Sequence, residues 1–220
     1  MPGVNVIGHI TGNLGLGVLA RALVRLLEHR RVPVAAFDLD AYHGRSGADL
    51  SLQDYLVDEA SALPHPINLF VLPAPSLRYA LPQLAEVALA DGRTNVALPM
   101  WELPTMPPHW HPILEFFDVI VAGSPLIRAA HENYLSNVCT VPALLPLFLP
   151  EPRIADRAAL LPEAVGKVLF LTAFEPHSDP GRKNPIGTIR AFRRVAAERP
   201  DVHLVVKVNN PPGESSGTRR

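Results

Sequence analysis

Arg182 and Lys183 are the residues of this 220-residue chain best placed to bind a charged ligand. They lie in Pro180-Gly181-Arg182-Lys183-Asn184-Pro185, which follows the apolar run Val168–Phe174. Beyond them Ile186, Ile189, Phe192 and Val195/Ala196 recur at helical spacing. Asn184 is a good N-cap, and Pro185 suits the first helical position. Both cations therefore precede a helix N-terminus, whose unsatisfied N–H groups and positive dipole end favour an anion. A diphosphate is the candidate ligand. A solvated basic turn is the competing reading. A strand at His203–Val208 completes a βαβ unit.

A second locus lies near the N-terminus. Gly12-Asn13-Leu14-Gly15-Leu16-Gly17-Val18-Leu19-Ala20-Arg21 contains G-x-G-x-x-A, and Asp38 and Asp40 follow at the end of the next strand. This matches the dinucleotide fingerprint formally. There, however, the first glycine closes the strand, whereas Gly15 falls several residues beyond Ile10. A flexible glycine loop at a helix start, lining an interdomain cleft, and a purely structural turn are the other readings. Asp38-Leu39-Asp40 is a D-x-D pair of the kind that holds a divalent metal on a nucleotide-sugar, though two acids at a strand end also arise by chance. No metal site is expected.

Trp101 and Glu102, in Pro99-Met100-Trp101-Glu102-Leu103-Pro104, follow a strand, where α/β sites collect. Trp101 offers a stacking face for a sugar and Glu102 a grip on hydroxyls. The alternative is a packed Trp with Glu102 capping the next helix. His109 and His111 lack a carboxylate or thiolate at zinc-ligand spacing. Ser124 lacks a nucleophile elbow and reads as the cap of a helix starting at Pro125.

These loci need a scaffold of alternating strands and helices. Strands are expected at Val4–Ile10, Val32–Phe37, Ile67–Leu72, Asn95–Leu98, Asp118–Ala122 and Val138–Val141. Helices are expected at Val18–His29, Leu52–Ala60, Ser76–Ala90, Pro108–Phe117 and Pro125–Leu135. Apolar strand runs alternating with amphipathic helices predict a parallel sheet covered on both faces. The fold class is α/β. An N-terminal Rossmann-like domain is expected over 1–148, a linker over 149–166, one βαβ unit of a second domain over 167–208 and a disordered tail over 209–220.

Bulk composition narrows the function classes. The chain is 48% hydrophobic and 19% charged, which suits a protein with a real core. A net charge of −1 gives no bulk field for nucleic acid or anionic membrane, so only a local basic patch can bind phosphate. The single Cys139 excludes an internal disulfide and a thiolate metal site. No signal-peptide pattern and no membrane-spanning run occurs. A cytoplasmic location is expected, with peripheral membrane association compatible with it.

Taken together, the chain resembles the retaining glycosyltransferases of family four, with their GT-B arrangement of two Rossmann-like domains. The matching segments are Gly15-Leu16-Gly17 with Arg21, Met100–Pro104 through Pro108 and Trp110, Phe117–Ser124, and Arg182–Pro185 with Ala191-Phe192. The resemblance spans nearly all of residues 4–208. It implies a hexose transferred from a nucleotide-sugar such as UDP- or GDP-hexose to a glycan or lipid-linked acceptor, with retention and without metal or cofactor. It places Arg182, Lys183 and Asn184 at the donor diphosphate, and Gly15, Gly17, Trp101 and Glu102 on the acceptor side. Ser178 stands where many members carry their arginine.

The family's second domain continues with further βα units and a glutamate pair that holds the donor. Nothing after Asn210 supplies these, so the resemblance implies a chain truncated within that domain and little transfer by this polypeptide alone. Catalytic residues are not identified. A non-catalytic acceptor-binding module and an NAD(P)-binding Rossmann protein are the alternative readings.

Overall fold

The computed structural model describes residues 1–42, 49–85, 92–101, 103–132, 138–140, 156–176 and 180–208. The chain divides into two units, Met1–Leu149 and Pro150–Arg220.

Unit 1 is built on six parallel strands: β1 (Val4–Gly8), β2 (Val34–Asp38), β3 (Ile67–Val71), β4 (Thr94–Ala97), β5 (Val119–Ala122) and β6 (Val138–Thr140). Their order is β2-β1-β3-β4-β5-β6. The order reverses between β1 and β3, and the crevice beyond the carboxyl ends of those two strands is where open α/β sheets take ligands.

The strands are apolar because both sheet faces are covered. Val6 and Ile7, neighbours in β1, are each 0% exposed and point to opposite faces. On one face Val6 and Val71 meet Ala20, Leu23 and Val24 of helix α1 (Gly15–His29). On the other, Ile7, Phe70 and Ile120 meet Leu77, Ala80 and Leu81 of α3 (Ala74–Gln83) and Leu114 of α4 (His111–Leu114). Phe70 and Phe117 stack edge to face there, with centroids 5.3 Å apart. α2 (Leu39–Tyr42) directly follows β2, and α5 (Pro125–Glu132) follows β5. Ser124 caps α5 as expected, its Oγ accepting from the Ile127 N–H at 3.2 Å.

One feature of the sheet escapes a hydrophobicity reading. Asn5, Asn68 and Asn95 are buried and stand side by side in register on β1, β3 and β4. Asn5 Nδ2 donates to Asn68 Oδ1 at 2.9 Å, and Asn68 Nδ2 donates to Asn95 Oδ1 at 3.0 Å. A one-residue slip of any strand would bury these amides unpaired, at about 1–3 kcal/mol each, so the ladder favours this register.

Two expectations are revised. α1 begins at Gly15 rather than Val18, so Gly15-Leu16-Gly17 form its first turn instead of a loop. No α-helix spans Leu52–Ala60. Short 3-10 turns at Gln53–Tyr55 and Ala60–Ala62 flank an extended stretch, where Val57 N–H donates to the Ala36 carbonyl at the edge of β2. That backbone bond draws the segment toward the sheet edge.

Unit 2 holds a parallel pair, β7 (Val168–Phe174) and β8 (Val202–Val208), in register from Val168↔Val202 to Phe174↔Val208. α8 (Pro185–Glu198) connects them and packs on one face, with Phe192 against Phe170 at 5.8 Å. Before β7 come α6 (Arg157–Leu160), capped by Asp156, and a 3-10 turn at Pro162–Ala164. Arg157 Nη2 donates to the carbonyls of Ala164 and Lys167, tying that turn to the start of the strand. Among the described residues of unit 2, only Ala164 and Pro185 are buried. The tail 209–220 lies outside the described residues.

Candidate functional site

The basic locus of unit 2 lies past the carboxyl end of β7. Pro180–Lys183 forms one helical turn, α7, and Asn184 joins it directly to α8. This sharp junction puts Asn184 in left-handed backbone, φ 46°, which asparagine tolerates better than most residues. Asn184 Oδ1 accepts from the Gly187 N–H at 3.1 Å, the N-cap bond its type predicts. Gly187 permits that cap, because a Cβ there would fall 2.5 Å from Asn184 Nδ2.

Arg182, Lys183 and Asn184 are all exposed. Pro185 has no N–H, and the Gly187 N–H is taken by the cap. An anion arriving here would meet two cations first and the helix dipole second. Ser178 lies outside the described residues.

The glycine locus of unit 1 is built differently. β1 ends at Gly8 and α1 begins at Gly15, so residues 9–14 form the loop at the sheet's switch point. Arg21 reaches back from α1 beneath it. Its Nη1 donates to the carbonyls of Ile10 (2.7 Å) and Gly12 (3.0 Å), and its Nε lies 3.0 Å from Asp49 Oδ2. Burial lowers the Arg21 pKa, opposed by the Asp49 charge. Burial alone would raise the Asp49 carboxyl, but hydrogen bonds from Ser51 and the Arg21 and Arg25 charges bring it below its ordinary value.

Asp38 works from the other side. Its carboxylate accepts from Thr11 N–H, Thr11 Oγ1, and the N–H groups of Asp40 and Ala41, thereby capping α2 and holding the loop. Asp40 pairs with His9, Nδ1 to Oδ1 at 3.0 Å. The D-x-D carboxylates thus serve the loop. Among the described residues no group of three His, Cys, Asp or Glu converges as metal ligands would.

This packing bears on the dinucleotide fingerprint. Its second glycine must leave room for a pyrophosphate beside the helix. Here a Cβ on Gly17 would fall 2.2 Å from the Gly12 carbonyl and 2.7 Å from that of His9. The chain's own loop fills the space, and Gly17 is a packing glycine. Gly15 has open space on its Cβ side.

Trp101 is half-buried. Its Nε1–H donates to the Thr105 carbonyl at 3.0 Å, and its ring meets Trp110 edge to face at 4.7 Å. The indole nitrogen is thus held within its own loop. Glu102 lies outside the described residues.

Sequence reasoning missed His9, Thr11 and the true work of Arg21 and Asp38. A usable signal existed: His9 directly follows β1, and Asp40 lies two residues past the end of the neighbouring parallel strand β2.

No described helix is long and apolar enough to cross a membrane. No protein-family model matches the chain. A search of curated proteins gives no significant match. Solved structures do match. The apo form of the lipopolysaccharide outer core galactosyltransferase WaaB is 12% identical, over 93% of this chain and 68% of that one, with a TM-score of 0.49. A putative UDP-N-acetylglucosamine 2-epimerase from Listeria monocytogenes is 10% identical, over 96% of this chain and 63% of that one, with a TM-score of 0.55. At such identity the second likeness shows the fold alone: α/β with a parallel sheet, of the Rossmann-like, GT-B-like kind.

Proposed function

We propose that this chain carries glycosyltransferase machinery of the family-four kind, with the donor diphosphate on unit 2 and the acceptor on unit 1. The donor is a nucleotide-hexose, UDP- or GDP-linked, and the acceptor a glycan or lipid-linked sugar. In such a reaction the bond from the anomeric carbon to the diphosphate breaks and one to an acceptor oxygen forms. Negative charge grows on the leaving diphosphate. Arg182 and Lys183 beside a helix N-terminus are suited to stabilise it without a metal. Retention of configuration follows from the resemblance.

One observation carries this reading: two exposed cations at the strand–helix junction of a parallel βαβ unit, just before an Asn-capped helix. The NAD(P) reading fares worse, because the loop backbone occupies the space beside Gly17.

Calorimetric titration with UDP, GDP and NAD tests the choice. UDP or GDP is expected to bind weakly, with Kd on the order of 0.1–1 mM, more weakly still as salt rises. NAD is expected not to bind. Low-micromolar NAD affinity with no response to UDP or GDP would replace this reading with the oxidoreductase one.

A further inference from the structure

We propose that His9, fixed by Asp40, is the residue of unit 1 that contacts an acceptor hydroxyl. This rests on the reading of unit 1 as the acceptor side. His9 is the first residue past β1, at the switch point where parallel sheets take ligands. Its Nδ1 lies 3.0 Å from Asp40 Oδ1. Against a carboxylate, Nδ1 is the donor, and in the Nδ1–H tautomer Nε2 is an acceptor. Among the described residues Nε2 has no protein partner, and it is not one of the buried unpartnered atoms.

The surroundings hold this pair firmly. Asp40 is only 5% exposed, and a Cβ on Gly12 would fall 2.5 Å from Asp40 Oδ2, so the loop backbone closes over the carboxylate. Arg21 fixes two carbonyls of the same loop, and Asp38 fixes Thr11. A ring locked by a packed carboxylate, with Nε2 unpartnered among the described residues, is pre-organised to accept a hydrogen bond from a hydroxyl. Asp40 is then a positioning residue that sets the tautomer. Trp101 is less suited to such polar contact, since its only donor is spent on Thr105.

The test is nitrogen NMR of the whole chain labelled at histidine. His9 is expected as the Nδ1–H tautomer, and Asp40→Asn should mix the tautomers. Methyl α-glucopyranoside and methyl α-galactopyranoside, each raised to 100 mM as probes, should shift His9 Nε2 together with the amides of Thr11 and Gly12. In His9→Phe those amide shifts should weaken at least tenfold, while UDP shifts at residues 181–188 persist. An Nε2–H tautomer in the parent would overturn the proposal without any variant. So would saccharide shifts that spare His9, or that survive in His9→Phe. Loss of UDP binding alone would sink the donor-site reading and leave the His9 result standing.

Discussion

Unit 1 and unit 2 use the same βαβ grammar and end in opposite physical states. In unit 1, Val6, Ile7, Phe70 and Ile120 are 0% exposed, with helices on both sheet faces. In unit 2, Leu171 of β7 is 68% exposed and Phe170, the partner of Phe192, 47%. A two-stranded sheet with one helix has too few layers to cover its apolar faces. The loop of unit 1 is rigid by construction, clamped by Arg21, Asp38 and Asp40. The basic junction of unit 2 presents its charges on an open surface, held chiefly by the Asn184 cap.

The sharpest contrast should come from truncating one phenylalanine in each unit. Phe70→Ala removes a fully buried ring stacked on Phe117 and should cost about 4 kcal/mol. Phe192→Ala removes a partly buried ring and should cost about 1 kcal/mol. Denaturant titrations give the costs, and hydrogen exchange should show β1 and β3 far better protected than β7 and β8. Equal protection would mean that the apolar face of unit 2 is covered in solution.

The next contrast lies within unit 1. Gly17→Ala drives a methyl into the Gly12 and His9 carbonyls and should cost about 3 kcal/mol. Gly15→Ala meets open space and should be neutral, or stabilising by up to about 1 kcal/mol through helix propensity. If both behave alike, the loop does not pack as described.

A smaller effect separates the units by pH. His131 is 0% exposed, its Nδ1 lies 2.6 Å from the Ile127 carbonyl, and its buried Nε2 has no partner among the described residues. Burial pushes its pKa below the ordinary 6.5, against the Ile127 bond, with the His111 charge adding to the lowering. The unfolded chain therefore binds more protons here, and stability falls as pH drops from about 6.5 toward the folded value. His65, also lowered by burial, acts in the same direction. His131→Gln should flatten part of this acid slope for unit 1 and leave β7–β8 exchange unchanged. An unaltered slope would mean that His131 is not buried neutral.

Much of the architecture was legible. Val168–Phe174 coincides with β7 residue for residue, and Asn184-Pro185 marked the start of α8. Apolar periodicity carries that information because both faces of a parallel sheet must be covered. What stayed hidden depends on contacts between distant residues. Gly15 and Gly17 look equivalent in sequence, yet only Gly17 meets a carbonyl. Asn5, Asn68 and Asn95 read as polar interruptions until strand register lines them up. His9 gains its partner only in the fold, where the β1–β2 pairing brings Asp40 beside it.

We propose that the junction before α8 binds a nucleotide diphosphate. The most direct test is amide NMR during UDP titration of the parent, Lys183→Ala and Arg182→Ala. Shifts should centre on residues 181–188, and Lys183→Ala should weaken binding by about 1–2 kcal/mol, the larger of the two losses. Unchanged binding in both variants, or shifts gathered on Gly12–Gly17 instead, would contradict the account.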